Sequence, residues 1–161
     1  MGFWKILLLP FGFLYGLIIR LRHWMFNVGL LKSESFDLPV IGVGNLSLGG
    51  TGKTPMVEYL IRLISDDNRI AVLSRGYGRS TKGFLIANQY SGHHDIGDEP
   101  MQYHNKFKKS IKVAVSEDRR IGIKNLMQDD DNLDVVLLDD SFQHRYVVPG
   151  ISILLTDFHN L

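Results

Sequence analysis

Gly49, Gly50 and Gly52 crowd into one short stretch, and Lys53 and Thr54 follow directly. Glycine lets a backbone turn so that successive N–H groups point at a single anion. A lysine placed next can reach the outer phosphates of a nucleotide, and a threonine hydroxyl after it can ligate Mg²⁺. Gly52, Lys53 and Thr54 match the end of the pattern G-x-x-x-x-G-K-[ST], while Ser47 stands in the place of its first glycine. Ser47, Leu48, Gly49, Gly50, Thr51, Gly52, Lys53 and Thr54 therefore read as a phosphate-binding loop. The plain alternative is a glycine-rich turn that happens to carry a lysine. A strand-like run before the loop and a helix-like run after it favour the phosphate loop.

A phosphate loop needs an acid nearby to organise the metal. Val135-Val136-Leu137-Leu138 supplies a buried-strand pattern, and Asp139 and Asp140 follow it. Such an acid holds Mg²⁺ directly or through water. Thr54 and Asp139 are the expected Mg²⁺ residues. Alone, an apolar strand ending in aspartate marks only a turn; the loop changes its meaning.

Three more clusters fall where strands end, the ligand edge of α/β sheets. Ser74-Arg75-Gly76-Tyr77-Gly78-Arg79 sets two arginines and a tyrosine among glycines, a composition suited to phosphate contacts or to an exposed basic loop. Gly97-Asp98-Glu99-Pro100 opens a helix, with Asp98 expected at its N-cap. The functional reading makes Asp98 a general base for an attacking hydroxyl. Phosphoryl transfer asks little of such a base, because positioning and charge stabilisation dominate. Ser141-Phe142-Gln143-His144-Arg145 follows the paired acids. His144 could meet a phosphate there, or be an ordinary loop residue. His93 and His94 read as loop residues, and no transition-metal site is assigned.

The elements that must position these residues alternate in type. Val40–Val43, Ile70–Leu73, Val113–Val115, Val135–Leu138 and Ile151–Leu155 read as strands. Thr54–Ser65, Glu99–Lys108 and Ser116–Met127 read as helices, the last capped by Ser116 or Asp118. Asp129-Asp130-Asp131-Asn132 reads as a solvated loop. This alternation predicts an α/β fold with a mostly parallel sheet flanked by helices, like that of P-loop NTPases. The chain stops soon after the fifth strand, so the sheet is expected to be incomplete at its C-terminal end.

The first 35 residues differ in character. Ile6 to Ile19 carry no charge, but a bilayer span needs roughly 17–25 apolar residues, and Pro10, Gly12 and Gly16 loosen a helix. A signal peptide should end in small residues; here Arg20, Leu21, Arg22, His23 and Trp24 follow, an order suited to lipid headgroups. Residues 1–35 are read as a membrane-associated helical segment, with residues 36–161 as the globular core. A long helix packed on another part of the protein is the alternative. Lys5, Arg20, Arg22 and Lys32 against Glu34 give this segment a charge of +3, leaving −2 for the rest of a chain of net +1. Net basic charge at the apolar end points to a membrane surface, not to nucleic acid.

Length and composition agree with a globular core. The 161 residues are 45% apolar and 22% charged, which excludes wholesale disorder, a collagen repeat and a coiled coil. The absence of cysteine excludes a disulfide framework, a thiolate nucleophile and a Cys zinc site.

GNLSLGGTGKTP, LSRGYGR, GDEP and LLDDSFQHR occur in that order. Together they resemble the tetraacyldisaccharide 4′-kinases of lipid A synthesis, across nearly the whole chain. Ser141 departs from the Gly or Ala that the family often places in DD-x-FQH. The resemblance implies that ATP phosphorylates the 4′-hydroxyl of a tetraacylated glucosamine disaccharide 1-phosphate at the cytoplasmic face of the bacterial inner membrane. It implies ATP binding by Ser47 to Thr54, with Lys53 on the phosphates and Thr54 on Mg²⁺. Asp98 becomes the base, Asp139 and Asp140 arrange metal and γ-phosphate, and Arg75, Tyr77, Gln143 and His144 line the site. The lipid disaccharide and the membrane surface are the expected partners; no obligate protein partner follows. Family members are roughly twice this length and carry a histidine for the base in their second half. The chain is accordingly expected to be an N-terminal portion. Two other readings stay open: a membrane-attached P-loop ATPase of the partitioning or targeting type, and a non-catalytic ATP-binding half-domain. Leu48 stands where the former commonly has a lysine, and GDEP and FQH have no purpose in it.

Overall fold

A computed structural model describes residues 3–46, 51–142 and 144–156, with side chains in the first helix described from Gly12 onward. The backbone separates into two compact units, Met1–Ser33 and Glu34–Leu161.

The first unit is built on helix α1, Phe3–Asn27, 25 residues long. The helix continues through Pro10, Gly12 and Gly16, the residues expected to loosen it. Phe13, Leu14, Tyr15, Leu17, Ile18, Leu21 and Trp24 lie exposed along it, and the Arg22 guanidinium sits over the Phe26 ring at 5.8 Å. Among the described residues no helix is long and apolar enough to cross a membrane.

The second unit is a six-stranded sheet: β1 Val40–Asn45, β2 Ile70–Ser74, β3 Leu85–Ile86, β4 Ile111–Val115, β5 Val135–Asp139 and β6 Ile151–Leu155. Its order is β3-β4-β2-β5-β1-β6, and every pairing is parallel except β3 with β4. The connecting helices are α2 Lys53–Ile64, α3 His93–Ile96, α4 Asp98–Phe107 and α5 Arg119–Asp129.

Alternation along each strand splits its apolar run between two cores. Val72, Val113, Val135 and Leu137 pack with Val57, Leu60 and Ile61 of α2 and Tyr103 of α4. Ala71, Leu73, Ala114, Val136 and Leu138 pack with Ile123 and Leu126 of α5 on the opposite face. Gly122 brings α5 close to the sheet; a Cβ there would lie 2.7 Å from Leu73 Cδ2. Four strands read from the sequence as continuous apolar runs are thus buried on both faces.

Several boundaries differ from expectation. Each of α2, α4 and α5 is displaced by one or a few residues. Asp98 is the first residue of α4 rather than its cap; Gly97 is the cap, at φ 89°, and makes no side-chain bond. Asp118 caps α5, accepting from the Arg120 N–H at 2.9 Å. His93 and His94 lie in α3, not in a loop. Asp129 ends α5, where its carboxylate and that of Asp130 pair with Lys112 of β4 at 2.6 and 3.1 Å. The two-residue strand β3 was not expected.

Candidate active site

Parallel pairing puts the C-terminal ends of β1, β2, β4 and β5 on one edge. Val43 of β1 is in register with Asp139 of β5, and Ser74 of β2 with Val115 of β4. The phosphate loop and the paired acids therefore leave neighbouring strands at one level. Gly42 and Gly44 allow the next segment to close down on β1. A Cβ on Gly44 would meet Phe142 Cβ at 2.5 Å, and Ser141 donates its N–H to the Val43 carbonyl at 3.0 Å.

Ser47, Leu48, Gly49 and Gly50 lie outside the described residues. The rest of the loop is clear. Gly52 adopts φ 85°, a left-handed conformation that favours glycine, and α2 begins at the next residue. Pro55 sits in the first turn, where no N–H is missed. The N–H groups and partial positive charge at the start of α2 thus face the strand edge. The Thr51 hydroxyl is buried with no partner among the described residues.

Lys53 Nζ is 2.8 Å from Asp140 Oδ1. Asp140 holds φ 55°, unusual for a residue with a side chain, though aspartate tolerates it better than most. This backbone turn sends Asp139 and Asp140 different ways. Asp139 is 1% exposed. Burial, with the charges of Glu99 and Asp140 beside it, pushes its carboxyl up to about 6, against the pull of Tyr103 and Lys53. Tyr103 donates its phenol to Asp139 Oδ2 at 3.3 Å. Arg119 is also buried, and its guanidinium bridges two strand ends, donating to the Ser116 carbonyl at 2.7 Å and the Asp139 carbonyl at 3.1 Å. Burial lowers this arginine to about 10, opposed by Asp139 and Asp140.

The GDEP segment arrives from the other side. A Cβ on Gly97 would lie 2.7 Å from the Tyr77 carbonyl, so glycine lets the start of α4 press onto the Gly76–Tyr77 backbone. Asp98 consequently enters the same cavity as Arg75 and Tyr77. That cavity, about 390 Å³, is lined by Lys53, Ser74, Arg75, Tyr77, Asp98, Glu99, Pro100 and Asp140. His93 Nδ1 lies 3.1 Å from Asp98 Oδ1, both groups largely exposed.

Of the expected site residues, the structure gathers Lys53, Arg75, Tyr77, Asp98 and Asp140 around one cavity. Asp139 takes a hydrogen bond from Tyr103, and the Thr54 side chain acts on the same phenol. His144 is not among the lining residues; its N–H closes a turn on the Ser141 carbonyl at 3.0 Å. Gln143 lies outside the described residues. Arg79 was grouped with Arg75 for phosphate contacts, but it serves the loop instead. Its side chain is 3% exposed and bonds Glu117 Oε1 at 2.6 Å and the Gly83 carbonyl at 2.7 Å. Glu99, Tyr103 and Arg119 were not foreseen as site residues. Glu99 was visible within GDEP; nothing in the local pattern marks the other two.

Comparison with known proteins identifies this arrangement. Residues 4–161 match the family model for tetraacyldisaccharide-1-P 4′-kinase. The tetraacyldisaccharide 4′-kinase of Parabacteroides distasonis is 58% identical over 157 residues, covering 96% of this chain and 42% of that protein. That of Flavobacterium psychrophilum is 50% identical over 161 residues, covering 100% and 47%. The chain thus spans less than half the length of these relatives. The crystal structure of LpxK from Aquifex aeolicus in complex with ATP superposes with a TM-score of 0.83 at 41% identity, covering 95% of this chain and 49% of that one. On the family match across nearly all of its residues, the chain belongs to the tetraacyldisaccharide-1-P 4′-kinase family.

Proposed function

We propose that the protein containing this chain transfers the γ-phosphoryl group of ATP to the 4′-hydroxyl of a tetraacyldisaccharide 1-phosphate. The observation that carries this reading is the convergence of Lys53, Asp140, Arg75, Tyr77 and Asp98 on one cavity at the end of the phosphate loop. The orphan Thr51 hydroxyl and the half-buried start of α2 suit a triphosphate. Ser47 to Thr54 cradle it, and Lys53 exchanges Asp140 for phosphate oxygens.

The donor set fits Mg²⁺. Thr54 and Asp139 offer oxygen ligands, and the buried Asp139 carboxylate feels the like charges of Glu99 and Asp140. When bound, Mg²⁺ neutralises charge on the transferring phosphoryl group. Asp98 accepts the proton of the 4′-hydroxyl as its oxygen bonds to the γ-phosphorus and the bond to the β-phosphate oxygen breaks, releasing ADP. Arg75 and Tyr77 contact phosphate or sugar from the cavity wall, and Gln143 and His144 complete the site beyond the paired acids.

The N-terminal unit, with its exposed apolar side chains and +4 charge, lies on the cytoplasmic face of the inner membrane, where a lipid acceptor is met. The test is transfer of labelled phosphate from ATP to tetraacyldisaccharide 1-phosphate, using the full reading frame that carries this chain and the 161 residues alone. Transfer by the full protein supports the reading. Transfer by neither, with ATP still bound, sinks it in favour of a nucleotide-binding module.

A further inference from the structure

Tyr103 lies on α4, the helix that begins at Asp98, yet its phenol reaches the other side of the site. The side chain is 0% exposed. It donates to Asp139 Oδ2 at 3.3 Å, and the Thr54 side chain acts on the same phenol. One hydroxyl thus stands between a residue of β5 and a residue of α2, the two to which the proposed function gives Mg²⁺.

The same two helices are joined again one turn further on. Glu58 of α2, four residues after Thr54, is buried and takes hydrogen bonds from Gln102 at 2.9 Å and Lys106 at 2.6 Å, both on α4. Tyr103 and the Glu58 cluster together form a bonded seam between the phosphate-loop helix and the helix carrying Asp98. A phenol is a hydrogen-bond donor throughout neutral pH.

We propose that Tyr103 is a positioning residue for the metal: its hydroxyl fixes the Asp139 carboxylate and the Thr54 hydroxyl relative to each other and ties both to the helix of the base. This rests on the kinase reading of the site and adds a role to it. Groups that hold a metal's ligands commonly change metal affinity about 10–100-fold when removed. A phenol serving only to fill the core would change stability instead.

The experiment uses the full reading frame, with Tyr103→Phe and Tyr103→Leu beside the unaltered protein. A fluorescent, non-hydrolysable ATP analogue is titrated without metal and then at increasing Mg²⁺, and thermal melting is followed in parallel. The expected result is metal-free analogue affinity within about twofold of the unaltered protein in both variants. The Mg²⁺ concentration for half-maximal enhancement rises about tenfold or more in both, while only Tyr103→Leu melts markedly lower. The proposal is overturned if Tyr103→Phe keeps the unaltered Mg²⁺ requirement. It is equally overturned if that requirement rises only in Tyr103→Leu, in step with melting, or if Tyr103→Phe fails to fold, since each makes the role structural. Absence of Mg²⁺-enhanced binding in the unaltered protein instead removes the kinase reading, and the proposal with it.

Discussion

Lys53 Nζ and Asp140 Oδ1 are 2.8 Å apart, so the lysine expected on phosphate is held by an acid that itself occupies a left-handed backbone position. The pair is half-exposed, so its Coulomb energy is modest in water and of little account for stability. Its interest is positional. A nucleotide must compete with Asp140 for the ammonium, and an incoming phosphate brings more charge than one carboxylate. Asp140→Asn removes the competitor while keeping shape and the tolerated φ. Metal-free ADP affinity is expected to rise several-fold, and turnover to fall about 10²-fold because charge around the γ-phosphate is no longer arranged. Calorimetric titration and steady-state rates check the two halves; unchanged affinity would detach the ion pair from nucleotide binding.

Asp98 differs in kind. It stands in the cavity, and its carboxylate pairs with His93 rather than with the phosphate loop. Removing it should spare nucleotide binding and slow chemistry. Asp98→Ala is expected to lower turnover about 10²–10⁴-fold, the ordinary range for a lost general base, with ATP affinity within twofold. Full activity in this variant would end the base assignment. His93 lies beside this carboxylate, so His93→Ala is the natural companion measurement.

Much of this was legible in the residues. Parallel strands buried on both faces show themselves as unbroken apolar runs, which is why β1, β2, β4 and β5 were readable; β6 was readable from its apolar run although it lies exposed at the sheet edge. The strand β3 was not, because Leu85 and Ile86 make an edge pairing too short to leave a pattern. GDEP and the paired acids were recognisable as site residues, but the cap position was misplaced by one. There Gly97 is needed for its φ and its contact with the Tyr77 carbonyl, both consequences of a loop far away in sequence. Tyr103 and Arg119 acquire their roles only through approach across the sheet edge. No spacing within one helix announces that.

Asp139 gives a pH signature. Its carboxyl is raised to about 6 in the fold by burial and by neighbouring acids, against about 3.9 in an unfolded chain. The folded state therefore binds the proton more readily, so this group costs stability above pH 6 and the cost disappears as pH falls toward 4. Asp139→Asn mimics the protonated form. It is expected to stabilise the metal-free protein by about 2 kcal/mol at pH 7.5 and by little near pH 4.5. Glu58, Glu117 and Asp118, held low by their partners, oppose this trend in both proteins and cancel in the comparison. Denaturant titrations at the two pH values decide it; equal effects of the substitution at both would refute the raised carboxyl.

Gly97 is open to a steric test. A Cβ there would sit 2.7 Å from the Tyr77 carbonyl oxygen and 3.1 Å from the Gly76 carbonyl carbon, at φ +89°. Neither neighbour is a flexible side-chain tip, so the backbone of one loop must give. Gly97→Ala is expected to cost about 1–3 kcal/mol of stability and to lower turnover more than nucleotide affinity, because Asp98 and Tyr77 separate while Lys53 stays in place. A variant with normal melting and rate would show that the two segments do not depend on this contact.

The N-terminal unit leads to a prediction of a different sort. Residues 1–33 carry Lys5, Arg20, Arg22 and Lys32 without an acid, and exposed Phe13, Leu14, Leu17, Ile18, Leu21 and Trp24 from the described part of α1. Apolar burial in a lipid interface should supply most of the attraction, at about 25 cal/mol per Å², and the basic residues about 1 kcal/mol each near an anionic surface. Added salt screens only the second contribution. Vesicles with 30 mol% anionic lipid, as ~ a cytoplasmic-leaflet mimic, should therefore sediment the full protein at low salt and still retain part of it at high salt. Deletion of residues 1–33 should abolish sedimentation at both, while the far-ultraviolet dichroism of the remaining sheet and helices persists. Sedimentation that survives the deletion would place the membrane contact elsewhere in the protein. Complete loss at high salt in the intact protein would leave the charges as the whole attraction and the apolar face of α1 without contact to lipid.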